Sequence, residues 1–144
     1  QATRAAIQEG VVEGGGIALL RTIAKLDNVD TTDAWECDGV DVIKQALRAP
    51  ITQILDNAGQ SSDDIIKALF DHWDVEGSES LGYDAKSDEF VDMFSAGIID
   101  PKKVTRTAIQ NASSVVGMIL TTECMVVDEA EKSGNPQQPQ MLMG

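Results

Sequence analysis

Apolar residues near the start of the chain recur at helical spacing. One face of a predicted helix carries Ile17, Leu20 and Ala24, with Leu19, Ile23 and Leu26 beside them. Before it, Gln1–Glu9 has the pattern of the end of another helix. Gly10 and the run Gly14-Gly15-Gly16 interrupt the helical pattern, because glycine adopts backbone angles and close approaches that side chains forbid.

Two further helices are predicted in the middle of the chain. After a polar connection, Asn28–Asp38, the segment Gly39–Leu47 places apolar residues three and four apart. Pro50 should break or restart this helix because proline cannot donate the internal hydrogen bond, and Gly59 is a natural stop. Ser61 or Ser62 should then cap a helix whose buried side is formed by Ile65, Ile66, Leu69 and Phe70.

The last part of the chain predicts strands around one long helix. Leu81–Asp92 alternates loosely, which predicts a hairpin with its tip at Asp84–Asp88. Asp100 should cap the helix that starts at Pro101, and this helix is so apolar that we expect it to be the buried core helix. The β-branched run 121–127 predicts a strand. The predicted fold class is therefore mainly α, with one short β-hairpin and a C-terminal strand.

Charge and cysteine content exclude some partners. The chain has 24 acidic and 11 basic residues, a net charge of −13, which would repel a nucleic-acid backbone. No apolar run approaches the roughly 20 residues that span a membrane, so neither nucleic acid nor membrane is an expected partner. Cys37 and Cys124 form no metal or redox motif and are expected to be reduced rather than joined in a disulfide.

Taken alone, the candidate chemical groups are weak. Backbone N–H groups after Gly14-Gly15-Gly16 favour an anion such as phosphate, but no Walker lysine follows, so a plain glycine turn is the stronger interpretation. Asp100 already has a structural explanation as a helix cap. His72 lies among Asp71, Asp74 and Glu76, yet a lone histidine in an acidic loop is usually only solvated. No metal site is predicted there, or at Asp38 and Asp41.

Four blocks of the sequence resemble one protein family. They are RAAIQEGVVEGGGIALL, ALRAP, LGYDAKSDEF and AGIIDPKKVTRTAIQNASSVVGMILTTECMV, in this order. Together they are similar to the C-terminal equatorial segment of the group I, GroEL-like chaperonins. The resemblance implies the helical bundle of an equatorial domain over 17–128. Residues 1–16 would be the end of the intermediate-domain helix with the glycine turn, and 129–144 a flexible tail. We therefore expect the chain to be a fragment of a longer protein.

The resemblance also implies a nucleotide pocket. By this resemblance Gly15 would lie against the nucleotide, Asp100 would accept hydrogen bonds from the ribose, and Ile98 would pack on the adenine. Ala85 would also contact the base. The family usually has Asn-Ala-Ala at the hairpin tip, and this chain has Asp84-Ala85-Lys86, so base contacts by Asp84 and Lys86 do not follow from the resemblance.

Other parts of the family's ATP machinery have no counterpart in the sequence. The Gly-Asp-Gly-Thr-Thr phosphate loop, the magnesium-binding Asp and the catalytic Asp do not occur here. The family implies an ATPase that uses ATP with Mg in the full-length subunit. For this chain we expect no catalytic residue, no metal ligand, no ATPase activity and weak nucleotide binding at best.

The implied partners are identical subunits in a ring, unfolded polypeptides and a co-chaperonin lid. Glu123–Val127 would form a strand shared between neighbouring subunits, or else a strand of the chain's own sheet. The implied location is a bacterial cytoplasm or a mitochondrial or other organelle matrix. Two alternatives stay open: a non-catalytic acidic helical scaffold that self-associates, and a small nucleotide-binding module.

Overall fold

The computed structural model describes residues 2–75, 80–124 and 126. Within these residues the chain forms five helices and four short strands. The helices are α1 (Ala2–Glu9), α2 (Ile17–Leu26), α3 (Ala34–Asn57), α4 (Ser62–Trp73) and α5 (Lys102–Leu120). The strands are β1 (Val11–Glu13), β2 (Leu81–Asp84), β3 (Glu89–Asp92) and β4 (Ile99–Pro101). The mainly helical prediction is confirmed.

The core lies between α2, α3, α4 and the β2–β3 hairpin. It is built from eight buried residues: Ile17, Leu20, Ile51, Leu55, Ile66, Leu69, Tyr83 and Met93. The predicted apolar faces of α2 and α4 both contribute to it, because three- and four-residue spacing places side chains on one side of a helix. The hairpin is also confirmed, with Leu81 opposite Asp92 and Asp84 opposite Glu89.

Helix α3 differs from its prediction at both its start and its middle. It begins at Ala34, where the Asp33 carboxylate accepts a hydrogen bond from the Glu36 backbone N–H at 2.9 Å. It then continues through Pro50, so the predicted break is wrong. It ends as predicted: Gly59 has φ 73°, and the N–H of Gln60 reaches back to the Leu55 carbonyl at 3.0 Å.

Ser61 is the N-cap residue of α4, as one of the two predicted candidates. Its hydroxyl does not bond the backbone, however, and instead donates to the Asp64 carboxylate at 2.6 Å. The acidic first turn of α4 then suits the positive end of the helix dipole. Asp63 in the same turn pairs with Arg48 of α3.

Strands β1 and β4 form an antiparallel pair that the sequence did not predict. Val12 lies opposite Asp100 and Glu13 opposite Ile99, and the pairing continues in the hydrogen bond from the Gly14 N–H to the Ile98 carbonyl at 2.9 Å. Because Asp100 is part of this strand, the N-cap of α5 is Pro101, and no side chain caps the helix. The prediction that Asp100 caps α5 is wrong.

Helix α5 is not the core helix, and this prediction is also wrong. Among its described residues none is buried, and Leu120 is 80% exposed. Within the described residues, α5 packs mainly along α1 and β4. Of the predicted terminal strand, Glu123, Cys124 and Val126 are not in a strand, whereas Met125 and Val127 lie outside the described residues.

Candidate functional site

The glycine turn between β1 and α2 brings three parts of the fold together. A side chain at Gly14 would come within 3.1 Å of the Ile98 backbone, and one at Gly16 within 2.9 Å of the Ile51 backbone nitrogen. At Gly15 the only atom of the described residues within 4 Å of a Cβ position is Met93 Cε, at 3.7 Å. Gly14 and Gly16 are therefore packed closely against protein, whereas the contact at Gly15, which has φ 63°, is an ordinary van der Waals one.

The tip of the β2–β3 hairpin is held by its own hydrogen bonds. The Asp84 carboxylate accepts from the Lys86 backbone N–H at 2.9 Å and from the Ser87 hydroxyl at 3.0 Å. These bonds, the Lys86 N–H first among them, lower the pKa of Asp84. Asp84 is thus a turn-forming residue, and its carboxylate is ionised at neutral pH.

A second set of bonds ties the hairpin to the connection between α3 and α4. The Gln60 side-chain amide donates to Asp88 Oδ1 at 3.0 Å and to the Ala85 carbonyl at 3.4 Å. The Tyr83 hydroxyl donates to the same Asp88 carboxylate. Burial first, and then this hydrogen bond, raises the pKa of Tyr83 to about 12. These hydrogen bonds therefore fix the position of Ala85 relative to the α3–α4 connection.

Two adjoining cavities are lined by the four residues that the family resemblance assigns to nucleotide binding. The first has a volume of about 240 Å³, and Gly15, Ala85 and Ile98 line it together with Tyr83 and Lys86. The second has a volume of about 350 Å³ and is lined in part by Gly15 and Asp100. Gly15 and Ile54 line both cavities, which makes them neighbours along one cleft.

Asp100 faces the second cavity from β4. Its side chain is exposed, and no hydrogen bond or ion pair joins its carboxylate to another residue in the described part of the chain. An ionised carboxylate in this position has lone pairs available for a ligand's hydroxyl groups.

The charges of the cleft are mostly negative. Glu13, Asp84 and Asp100 contribute carboxylates, and Lys86 contributes the one ammonium group among the described lining residues. Such a lining suits hydroxyl and base groups better than phosphate groups, which it would repel.

Sequence reasoning missed Ile54 and Glu13, which line this cleft. Ile54 lies three residues after Ile51 on the apolar side of α3, and nothing in its spacing separates a cavity residue from a core residue. Glu13 is a lone charge between two valines and the glycine run, which was the available signal.

His72 and its acidic neighbours in sequence are not arranged as a metal site in the described residues. His72 packs against the Phe90 ring with 5.0 Å between ring centroids. In the described ranges no group of three or more His, Cys, Asp or Glu residues is arranged to hold a metal ion. Glu76 lies outside those ranges.

A larger cavity adjoins the second one, because Val104 and Ala108 line both. It is an open groove of about 580 Å³ between α1 and α5, and its lining includes Ala5, Val104 and Ala108 together with Arg4 and Lys103. None of the four predicted residues lines it. No described helix combines the length and apolarity that crossing a membrane requires.

Comparison with known proteins identifies the family. Residues 1–130 match the TCP-1/cpn60 chaperonin family. The chain belongs to this family. The chaperonin chain is also similar in structure to the open-state monomer of a group II chaperonin from Methanococcoides burtonii, with a TM-score of 0.73 and 28% sequence identity. The match covers 82% of the present chain and 30% of the archaeal one, so this chain spans less than a third of that subunit.

Proposed function

We propose that the chain forms the C-terminal equatorial part of a group I chaperonin subunit and supplies the base and ribose side of its ATP pocket. The observation that carries this proposal is the cleft in which Gly15, Ala85, Ile98 and Asp100 line two cavities that share Gly15 and Ile54. These four residues are far apart in sequence, and the resemblance had assigned all of them to nucleotide binding.

The residues of the cleft suit the base and ribose of a nucleotide better than its phosphates. The apolar side chains of Ala85 and Ile98 suit the faces of a purine, and the Asp100 carboxylate suits ribose hydroxyl donors. The acidic lining offers little to a triphosphate. We therefore propose that phosphate and Mg²⁺ are held by other parts of the subunit.

The wider function follows from the family and is proposed for the whole subunit. Identical subunits would assemble into a ring and use ATP hydrolysis to capture and release unfolded polypeptides. This chain would contribute part of the ring contacts. The proposed location remains a bacterial cytoplasm or an organelle matrix.

Assignment to group I, rather than to the family as a whole, rests on the four sequence blocks. The solved group II structure supports the shared fold and does not separate the two groups. A ring that contains this chain should, if it is group I, bind a separate co-chaperonin lid when ATP is present. A ring that closes in ATP without any added lid protein would contradict the group I assignment.

Nucleotide binding by the chain is the first test. We expect saturable but weak ADP binding in an NMR chemical-shift titration, and no release of phosphate from ATP. Asp100→Ala should weaken ADP binding about tenfold or more, since a hydrogen bond to a charged group contributes about 1.5–3 kcal/mol. Asp56→Ala is the matched control, because Asp56 is an exposed carboxylate of α3 that lines neither cavity.

Two results would contradict the proposal. Metal-dependent ATP turnover by this chain that is lost in Asp100→Ala would mean that the chain contains the catalytic machinery. Absence of saturable ADP binding would remove the nucleotide role and favour the scaffold alternative.

A further inference from the structure

Arg21 of α2 contacts three other elements of the fold. Its Nη2 donates to the Leu81 carbonyl at the start of β2, at 3.0 Å. Its Nε lies 3.6 Å from Glu13 Oε1 at the end of β1. Its guanidinium carbon lies 4.5 Å from the centroid of the Trp73 ring, at the end of α4. A planar guanidinium can make all three contacts at once, because its donors and its face are used separately.

On the hairpin side, two side chains hold the Leu81 carbonyl. The Trp73 indole N–H donates to the same Leu81 carbonyl at 2.8 Å, so this one oxygen accepts two hydrogen bonds from side chains. Leu81 is the first residue of β2, and Ala85 follows directly after the strand. Movement of Leu81 would therefore be passed along a short, paired strand to the base side of the cleft.

Glu13, the Arg21 partner next to the glycine turn, lines the cleft directly. Glu13 is the last residue of β1 and is followed by the glycine run. Its side chain is only 15% exposed and lines the cavity that Asp100 also lines. A carboxylate with so little solvent needs a cation, and Arg21 provides one. Pairing also reduces the negative charge that a nucleotide would meet there.

We infer that Arg21 is a positioning residue for the cleft. Its side chain holds the base-side hairpin and the glycine turn at a fixed separation, and it neutralises Glu13 beside the ribose position. This inference rests on the proposed function, since it assigns Arg21 to nucleotide binding without direct contact. Arg21 lines neither of the two cavities.

The test compares three arginine variants of the full 144-residue chain. Arg21→Met removes the charge and the donors, and Arg21→Lys keeps the charge without the planar fork. Arg48→Met is the matched control, because Arg48 is also ion-paired, but its partner Asp63 lines neither cavity, whereas Glu13 lines the second one. The measurements are the Kd for ADP by NMR titration and amide hydrogen exchange along the chain.

Arg21→Met should weaken ADP binding about tenfold, and Arg21→Lys should recover part of this loss, because small displacements of positioning groups have large effects on a site. Exchange should become faster in 81–84 and 89–92 before it does in the α3 core segment. Arg48→Met should leave both the Kd and hairpin exchange within about twofold of the wild-type values.

The outcomes separate this inference from the proposed function. If the wild-type chain binds ADP and Arg21→Met binds it equally well, the inference is overturned and the proposed function stands. Faster exchange in all helices together with the hairpin would show general destabilisation and would also overturn it. If the wild-type chain does not bind ADP, both proposals fail.

Discussion

The three consecutive positions before α2 favour glycine for different structural reasons. Gly14 lies against the β4 backbone, and Gly16 lies against the backbone of α3 at Ile51. Gly16 also has φ 81°, in the left-handed region that residues with a Cβ avoid. Gly15 has no comparably close approach among the described residues, but its φ of 63° is also left-handed, and it lines both cavities. The turn is therefore both a packing joint and one wall of the cleft.

Gly16→Ala should be strongly destabilising. A methyl group there would lie 2.9 Å from the Ile51 backbone nitrogen, and the left-handed φ adds strain. We expect a loss of about 2–4 kcal/mol in the free energy of unfolding, measured by urea denaturation.

Gly39→Ala is the matched control for this substitution. Gly39 lies inside α3, and apart from the adjacent helix backbone no described atom lies within 4 Å of the position of a Cβ, so alanine should stabilise the helix by about 0.5–1 kcal/mol. Equal effects of the two substitutions would contradict the proposed close contact at Gly16.

At this scale the sequence predicted candidate residues but not their environment. Asp100-Pro101 is a typical start of a helix, and a cap was the reasonable prediction. Pairing with β1 draws Asp100 into a strand, because backbone hydrogen bonds between distant segments outweigh one local cap. Since β1 has only three residues, no periodicity could reveal this pairing.

Among the elements, α3 shows why a proline need not end a helix. Pro50 removes one internal hydrogen bond, at a cost of about 3 kcal/mol. Leu47, Ile51 and Leu55 are buried on the two sides of it, and each contributes about 1.5–3 kcal/mol. Burial along the whole helix therefore outweighs the local cost. Predicting that α3 continues through Pro50 would have required the positions of the helices that pack against it, which the sequence pattern does not give.

Helix α1 depends on polar contacts with α5. None of its residues is buried, but Glu9 forms two hydrogen bonds with Arg106, at 2.8 and 3.1 Å, and Gln8 accepts one from Lys103 at 2.6 Å. The hydrogen bond from Arg106 first, and then the nearby cations, lower the pKa of Glu9.

This contact predicts a pH-dependent protection of α1. Because the pKa of Glu9 is lowered in the folded state, the stabilisation is present above the ordinary value of 4.5 and is lost as the pH falls through the lowered pKa. Glu9→Gln should speed amide exchange in α1 at neutral pH and remove this pH dependence.

Arg4→Gln provides the comparison on the same helix. Arg4 makes no ion pair with another residue in the described ranges, so its substitution should leave exchange in α1 unchanged. Low protection factors in α1 of the wild-type chain that do not change with pH would show that the Glu9–Arg106 pair does not hold the helix.

For the molecule as a whole, α5 presents the main difference between expectation and structure. Its apolar positions recur as in a buried helix, yet Val115 and Ile119 are 49% and 48% exposed. Periodicity identifies an apolar face but not what covers it. Within the described residues α5 packs mainly along α1 and β4, and this packing leaves both side chains about half exposed. An apolar face of this kind is typical of a surface that packs against other protein.

The uncovered face predicts self-association that depends on salt. Apolar contact favours association of the chains, whereas the net charge of −13 opposes it. The Debye length falls from about 10 Å at 0.1 M salt to about 3 Å at 1 M, so repulsion is screened while the apolar attraction remains. Sedimentation should show the 15.4 kDa chain associating more strongly as salt rises.

The double variant Val115→Ser/Ile119→Ser should reduce this association without changing the net charge, because both residues lie on one face of α5 one turn apart. Val42→Ser/Ile43→Ser on α3 removes two side chains of similar exposure, 64% and 46%, and should have little effect. Equal losses in both variants would mean that association is a general property of exposed apolar groups. A wild-type chain that stays monomeric up to 1 M salt would mean that the α5 face alone does not drive association.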